Sequence, residues 1–302
     1  MVARAVIQAL PSSAGLGLPR SEGGDLDSLT HAINSALGKA VDTALAIVVE
    51  QASGDQAVEP LAIEYLEAAA RRNSPAIHVL ILRSLPNLIW HKPQVGWPLF
   101  DLCSSSARVT QHWNSLEQCL YVNYRKHTQR VCTTLDNLWE ANAAVPRCGE
   151  MWGRIRALMV LGGMFASEDL VRRSQSPGVW SGAAHVFGTN LALGAPFLTE
   201  LLACPPTDPS QWANLDRCLF EKSNFSFLSA ELAMAYLGSR PVNSATRLTL
   251  LGVSQWLEHF SAVEPAATVQ VLTSMAEVMD KPEFYGDPLI RVFVNLLREV
   301  DF

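Results

Sequence analysis

The chain has 302 residues, 49% hydrophobic and only 17% charged, with 23 Lys and Arg against 29 Asp and Glu for a formal net charge of −6. So much apolar side chain under so thin a charged coat requires a large buried core or a partner surface, which excludes a disordered chain. The basic residues cluster no further than Arg71-Arg72, Arg125-Lys126 and Arg172-Arg173, too little for the phosphate-tracking stripe of a nucleic-acid binder.

In chain order, Val2 to Leu10 reads as a short helix, whose apolar run is broken by Gln8 and ends at Pro11, a poor signal peptide. Residues 11–25, PSSAGLGLPRSEGGD, have linker composition and are expected to be poorly ordered. The expected organisation is therefore a short helix and flexible linker over 1–25, followed by one α-helical repeat domain over 26–302. From Leu26 onward Leu29, Ile33, Leu37, Ala40, Ala44, Leu45 and Val48 form one helical stripe. Later helices are announced by Pro behind a polar or acidic residue, at Glu59-Pro60, Ser74-Pro75, Ser176-Pro177, Glu264-Pro265 and Asp287-Pro288. Pro at the first helical position loses no hydrogen bond and presets φ.

Between them lie helical patterns over 109–127, 149–165, 212–221, 226–237 and 244–260. Another begins at Val179, and Pro196 is expected to kink or split it near Gly194. No stretch alternates cleanly between hairpin turns, so the class is all-α. About a dozen helices exceed what one bundle core accommodates. The expected architecture is an irregular α-solenoid of stacked antiparallel helix pairs, HEAT-like or TPR-like, without a repeat of constant period. No apolar run approaches the roughly 20 residues that cross a bilayer, so no membrane contact and a cytoplasmic location are expected. The six cysteines, with no CxxC pair, are expected to be reduced, small hydrophobes.

Chemistry is hard to find. Gly38-Lys39 lacks the upstream Gly and the following Ser or Thr of a phosphate loop, so no nucleotide site, cofactor or metal is expected. The seven histidines are scattered without ligand spacing. Cys119 and His112 share a helix face but lack a third orienting group for thiol catalysis. Trp113, Glu117, Tyr121, Tyr124 and Arg125 sit at steps of four, four, three and one. They read either as core aromatics of an amphipathic helix or as an aromatic and charged ridge that binds a partner.

Ile33-Asn34-Ser35, Gly38-Lys39-Ala40, and the block from Ser74-Pro75 through Trp113, Glu117, Leu120-Tyr121 and Tyr124 resemble the C-terminal helical-repeat region of bacterial antiphage STAND NTPases, which are NLR-like sensors of phage components. The resemblance covers residues 26–140. It implies recognition of a foreign protein, such as a phage protein, reported by an NTPase or effector module. The expected function is thus a protein-interaction helical repeat without catalysis. The alternatives are an enzyme whose site is assembled from distant residues and a helical regulator that binds a small molecule.

Overall fold

The computed structural model describes residues 2–19, 25–105, 112–240 and 247–278, together with 291, 292 and 294–296. Among these residues the fold is all-α, with no strand. The chain divides into two compact units, residues 1–138 and 139–302. The starts of the helices expected at 109, at 244 and behind Asp287-Pro288 lie outside the described residues.

The first unit holds α1 (Val2–Ala9), α2 (Asp25–Ile33), α3 (Ala36–Ser53), α4 (Pro60–Ala70), α5 (Pro75–His91), α6 (Pro93–Ser104), α7 (Trp113–Asn123) and most of α8 (Thr128–Ala141). Proline opens α4, α5 and α6. α3 packs on α5 and α5 on α7 to form one layer, α4 packs on α6 in the other, and α2 lies against α5. Leu37, Leu45, Leu66, Ile77, Ile81 and Phe100 are fully buried in this unit.

The second unit contains α9 (Pro146–Leu161), α10 (Ser167–Arg173), α11 (Val179–Thr189), α12 (Leu191–Leu202), α13 (Ala213–Cys218), α14 (Ala230–Ser239), α15 (Arg247–Phe260) and α16 (Pro265–Val278). Here α9, α11, α13 and α15 follow one another in one layer, and α10, α12, α14 and α16 in the other. Five tryptophan and tyrosine rings that are fully buried, Trp152, Trp180, Trp212, Trp256 and Tyr236, mark its core. The closest approach is between α9 and α11. Cβ atoms at Gly149, Gly153 or Gly182 would collide with the facing backbone, and Gly178 at φ 79° starts α11 against the Pro146 carbonyl.

A register that the residue pattern hides ties these layers. In the first unit Cys119 Sγ donates to Leu82 O at 3.0 Å, Asn123 Nδ2 to Pro86 O at 3.3 Å and Lys126 Nζ to Trp90 O, at sequence separations of 37, 37 and 36. Donor and acceptor numbers rise together, so α5 and α7 run parallel. In the second unit Asn214 reaches Ser181 Oγ and Asn224 reaches Gly188 O, at separations of 33 and 36. Asn295 donates to Ser261 Oγ at a separation of 34. Two of the acceptors on α5, Leu82 O and Trp90 O, are carbonyls in need of donors. Pro86 has no N–H to offer Leu82 four residues back, and Trp90 lies in the last turn of α5.

Three expectations need correction. The stripe from Leu26 to Val48 is two helices meeting at 93°. Ser35 Oγ caps α3 by accepting from Gly38 N–H at 2.8 Å, and Leu26 and Ile33 are exposed. Residues 11–19 are not a loose linker, because Arg72 donates to the carbonyls of Ser13 and Leu16 and Tyr65 Oη to that of Pro11 at 3.1 Å. One side chain of α4 and one from the turn after it thus replace the core contacts that a Gly- and Pro-rich segment cannot make. Finally, the break expected near Gly194 falls at Asn190, whose amide caps Val186 O at 2.8 Å. Gly194 instead lets α12 fold back on the Phe187 backbone.

The packing account separates two glycines by the sign of one substitution. Alanine gains about 1 kcal/mol of helix propensity over glycine, and at Gly238, where no atom crowds a Cβ, Gly238→Ala should raise stability by roughly 0.5–1 kcal/mol. Gly182→Ala drives its methyl into Glu150 O and should lower stability by about 1–2 kcal/mol net of that gain. Urea denaturation of the two variants reads both signs.

Candidate functional site

α7 is held at both ends before it presents anything. The Asp25 carboxylate accepts Ser115 N–H at 2.7 Å and Ser115 Oγ–H at 2.6 Å, a cap supplied to α7 from 90 residues away. His112, next to its start, makes no side-chain cap. At the far end Cys119, Asn123 and Lys126 fasten α7 and the following turn to α5. The result is a rigid helix with a set rotation about its axis.

That rotation sorts the five predicted ridge residues. At about 100° per residue, Tyr124 lies about 20° from Trp113 around the axis, while Tyr121 lies about 80° and Arg125 about 120° away. Trp113 at 4% and Tyr124 at 7% exposure are core residues, which removes both as surface anchors. Glu117 is half-buried, whereas Tyr121 is 53% exposed and Arg125 is exposed. The structure still joins three of them: the Tyr121 and Tyr124 rings are 6.2 Å apart, and the Arg125 guanidinium lies 5.5 Å from the Tyr124 centroid while its Nε donates to Tyr124 Oη at 2.9 Å.

Residues missed by helical spacing extend the patch. Lys126 Nζ sits 4.6 Å from the centroid of Trp90, a ring at the end of α5 that is itself 38% exposed. The Arg130 guanidinium lies 5.5 Å from the Trp97 ring, which also meets His127 edge-on at 6.1 Å. Cations over aromatic faces are attracted by the ring quadrupole and held there in few rotamers. Arg130 is neutralised by Asp101, both carboxylate oxygens lying at 2.6 Å. The described partners of Arg125 and Lys126 are all neutral. The surface signal was present in the stretch from Arg125 to Arg130, the densest basic run of the chain, but the rings beneath it come from helices some 30 residues earlier.

Elsewhere several charges are paired internally. Arg240 pairs with Asp216 and donates to Tyr236 Oη at 2.7 Å, wholly buried. In the second unit, Arg173 and Arg156 flank Trp152 at 5.3 Å each. A groove of about 840 Å³ lined by Lys222, Phe225, Gln255, Glu258, His259 and Arg291 is closed electrostatically by the Arg291 to Glu258 ion pair at 2.7 Å. Among the described residues no group of His, Cys, Asp and Glu is arranged to hold a metal.

The Cys119 and His112 pair is not assembled for nucleophilic chemistry. Burial pushes the Cys119 thiol well above its ordinary pKa, and its S–H is engaged with Leu82 O. His112 instead meets His78 edge-on at 5.5 Å. Each ring uses Nε2–H to donate to a carbonyl, His78 to Ala70 O at 2.8 Å and His112 to Cys103 O at 3.2 Å. Both imidazoles are therefore neutral core residues, with burial and then the neighbouring His78 holding His112 down to about 4.

Four of the six cysteines are buried, Cys204 is exposed, and none is in a disulfide. Among the described residues no single helix is long and apolar enough to cross a membrane. No protein-family model, curated protein or solved structure matches the chain.

Two measurements test this geometry. Trp113→Ala should cost about 3–5 kcal/mol of stability, while Tyr121→Ala should stay within about 0.5 kcal/mol of the parent, both read from urea midpoints. The unfolded chain protonates His112 at its ordinary value near 6.5 and the folded chain only near 4. The folded state therefore binds fewer protons between these values. Stability should fall as pH drops through that window, by about 3 kcal/mol from this residue once the pH is below 4. His112→Gln should flatten the profile between pH 6.5 and 4.

Proposed function

We propose that this chain is a protein-interaction helical-repeat module, an irregular α-solenoid that works in the cytoplasm with its thiols reduced. The partner-binding face is formed by Tyr121, Arg125, Lys126 and Trp90. One observation carries the reading: just past the end of a firmly held helix, beside the exposed Tyr121 and Trp90 rings, two exposed cations, Arg125 against the buried Tyr124 ring and Lys126 over Trp90, have described partners that are all neutral. Aromatic and Arg side chains are the residues that dominate protein interfaces. Packing on both sequence neighbours and next neighbours supports the solenoid reading, because such stacks build extended surfaces.

The resemblance of residues 26–140 to the sensor region of antiphage STAND NTPases gives the proposal its biological direction. A foreign protein is recognised, and a separate NTPase or effector module answers. Within that resemblance Ser35 and Gly38 act structurally, as the cap of α3 and the close packing of α3 on α2.

A photoreactive benzoylphenylalanine placed at Tyr121, with the highly exposed Leu26 as the control position, tests the face in cells of the source organism. Irradiation should join a protein to position 121 and not to position 26, and Arg125→Glu should abolish the adduct. Equal labelling at both positions, or an adduct indifferent to Arg125→Glu, would remove the face from the proposal.

A further inference from the structure

Resting on the reading of this face as a partner site, we infer that the segment it receives is acidic: a short protein stretch with two carboxylates beside an apolar side chain. The charges point to this. Arg125 uses Nε on Tyr124 Oη, which leaves the outer edge of its planar guanidinium for a carboxylate to meet with two parallel hydrogen bonds. Lys126 uses one N–H on Trp90 O while its ammonium lies over the Trp90 ring, leaving two donors. Arg130, a few residues on, is an exposed guanidinium that does have its carboxylate, with Nη2 donating to both oxygens of Asp101. Arg125 and Lys126 have no such carboxylate among the described residues, and the partner supplies it.

The apolar part of the segment meets Tyr121 and Val122, which are 53% and 38% exposed one turn before Arg125. Rings that hold the cations in place lower the entropy lost when a carboxylate arrives. Attraction of Arg125 and Lys126 to the C-terminal end of α7 contributes to their placement, but that attraction calls for no exposed rings beside them. Nucleic acid fits less well. Residues 1–138 hold 11 Lys and Arg against 12 Asp and Glu, and two available cations neutralise about two phosphates, far fewer than the 6–10 contacts of a tight nucleic-acid complex.

Fluorescence anisotropy of the whole chain with a fluorescein-labelled peptide of repeated Glu-Glu-Leu tests the inference, beside the matching Lys-Lys-Leu peptide and oligouridylate. The acidic peptide should bind saturably and more weakly as salt rises, and the other two should not. Arg125→Glu with Lys126→Glu should weaken it by at least about tenfold, and the milder Arg125→Gln with Lys126→Gln should weaken it in the same direction. Thermal melts should show all variants folded. No binding of the acidic peptide, binding indifferent to both double variants, or tighter binding of oligouridylate would overturn the inference. If Tyr121 still crosslinks a protein while the acidic peptide fails, the face stands and the acidic chemistry falls.

Discussion

Carbonyl groups at the end of α5 and at its internal proline need hydrogen-bond donors, and they receive them from the helix two places on. Pro86 has no N–H, so the Leu82 carbonyl inside α5 is left without its usual partner; Cys119 S–H fills the vacancy. Lys126 does the same for Trp90 O in the last turn of α5, and Asn123 adds a bond to Pro86 O between them. An unsatisfied buried carbonyl such as Leu82 O costs about 1–3 kcal/mol, so this bond, with the two in line with it, penalises sliding or rotation of α7 on α5. The second unit repeats the device where Asn224 donates to Gly188 O at 2.7 Å at the end of α11. Register comes from polar bonds along the layer, while the apolar stripes supply the burial.

The same constraint produces the candidate site. Because α7 is fixed in rotation, Trp113 and Tyr124 enter the core and Tyr121 and Arg125 face water. Lys126 belongs to both systems, since one N–H satisfies the end of α5 while its charge rests over Trp90. Stability and surface chemistry are joined in that turn. The wider patch follows from where helices end. Trp90, Tyr124, Arg125 and Lys126 all lie at or just beyond C-terminal ends, where cations are favoured by the helix dipole.

Helical class and many helix starts were readable from residues because both are local. Apolar side chains at three- and four-residue steps report a buried face, and Pro60, Pro75 and Pro265 open helices where expected. The repeated spacing of these bonds was not readable, because the acceptors are backbone carbonyls at Leu82, Pro86, Trp90 and Gly188 but serine hydroxyls at Ser181 and Ser261. The donors change from Cys119 and Asn123 to Asn214, Asn224 and Asn295, so no motif recurs. The bend at Ser35 carried a capping signature, but Leu29, Ile33 and Leu37 continue the apolar spacing across it. Of the site, Tyr121 and Arg125 could be named from one helix. Trp90 could not, because its contact with Lys126 spans 36 residues.

A double-mutant cycle between Pro86 and Cys119 measures the register device most directly. In the parent, Cys119→Ala leaves the Leu82 carbonyl without a donor; in Pro86→Ala, the restored N–H at position 86 satisfies it within the helix. Carbonyl capping as the source of register predicts that Cys119→Ala costs about 1 kcal/mol more in the parent than in the Pro86→Ala background. Equal costs in the two backgrounds, within about 0.3–0.5 kcal/mol, would mean that Cys119 acts only by filling space and that the polar register does not hold α7.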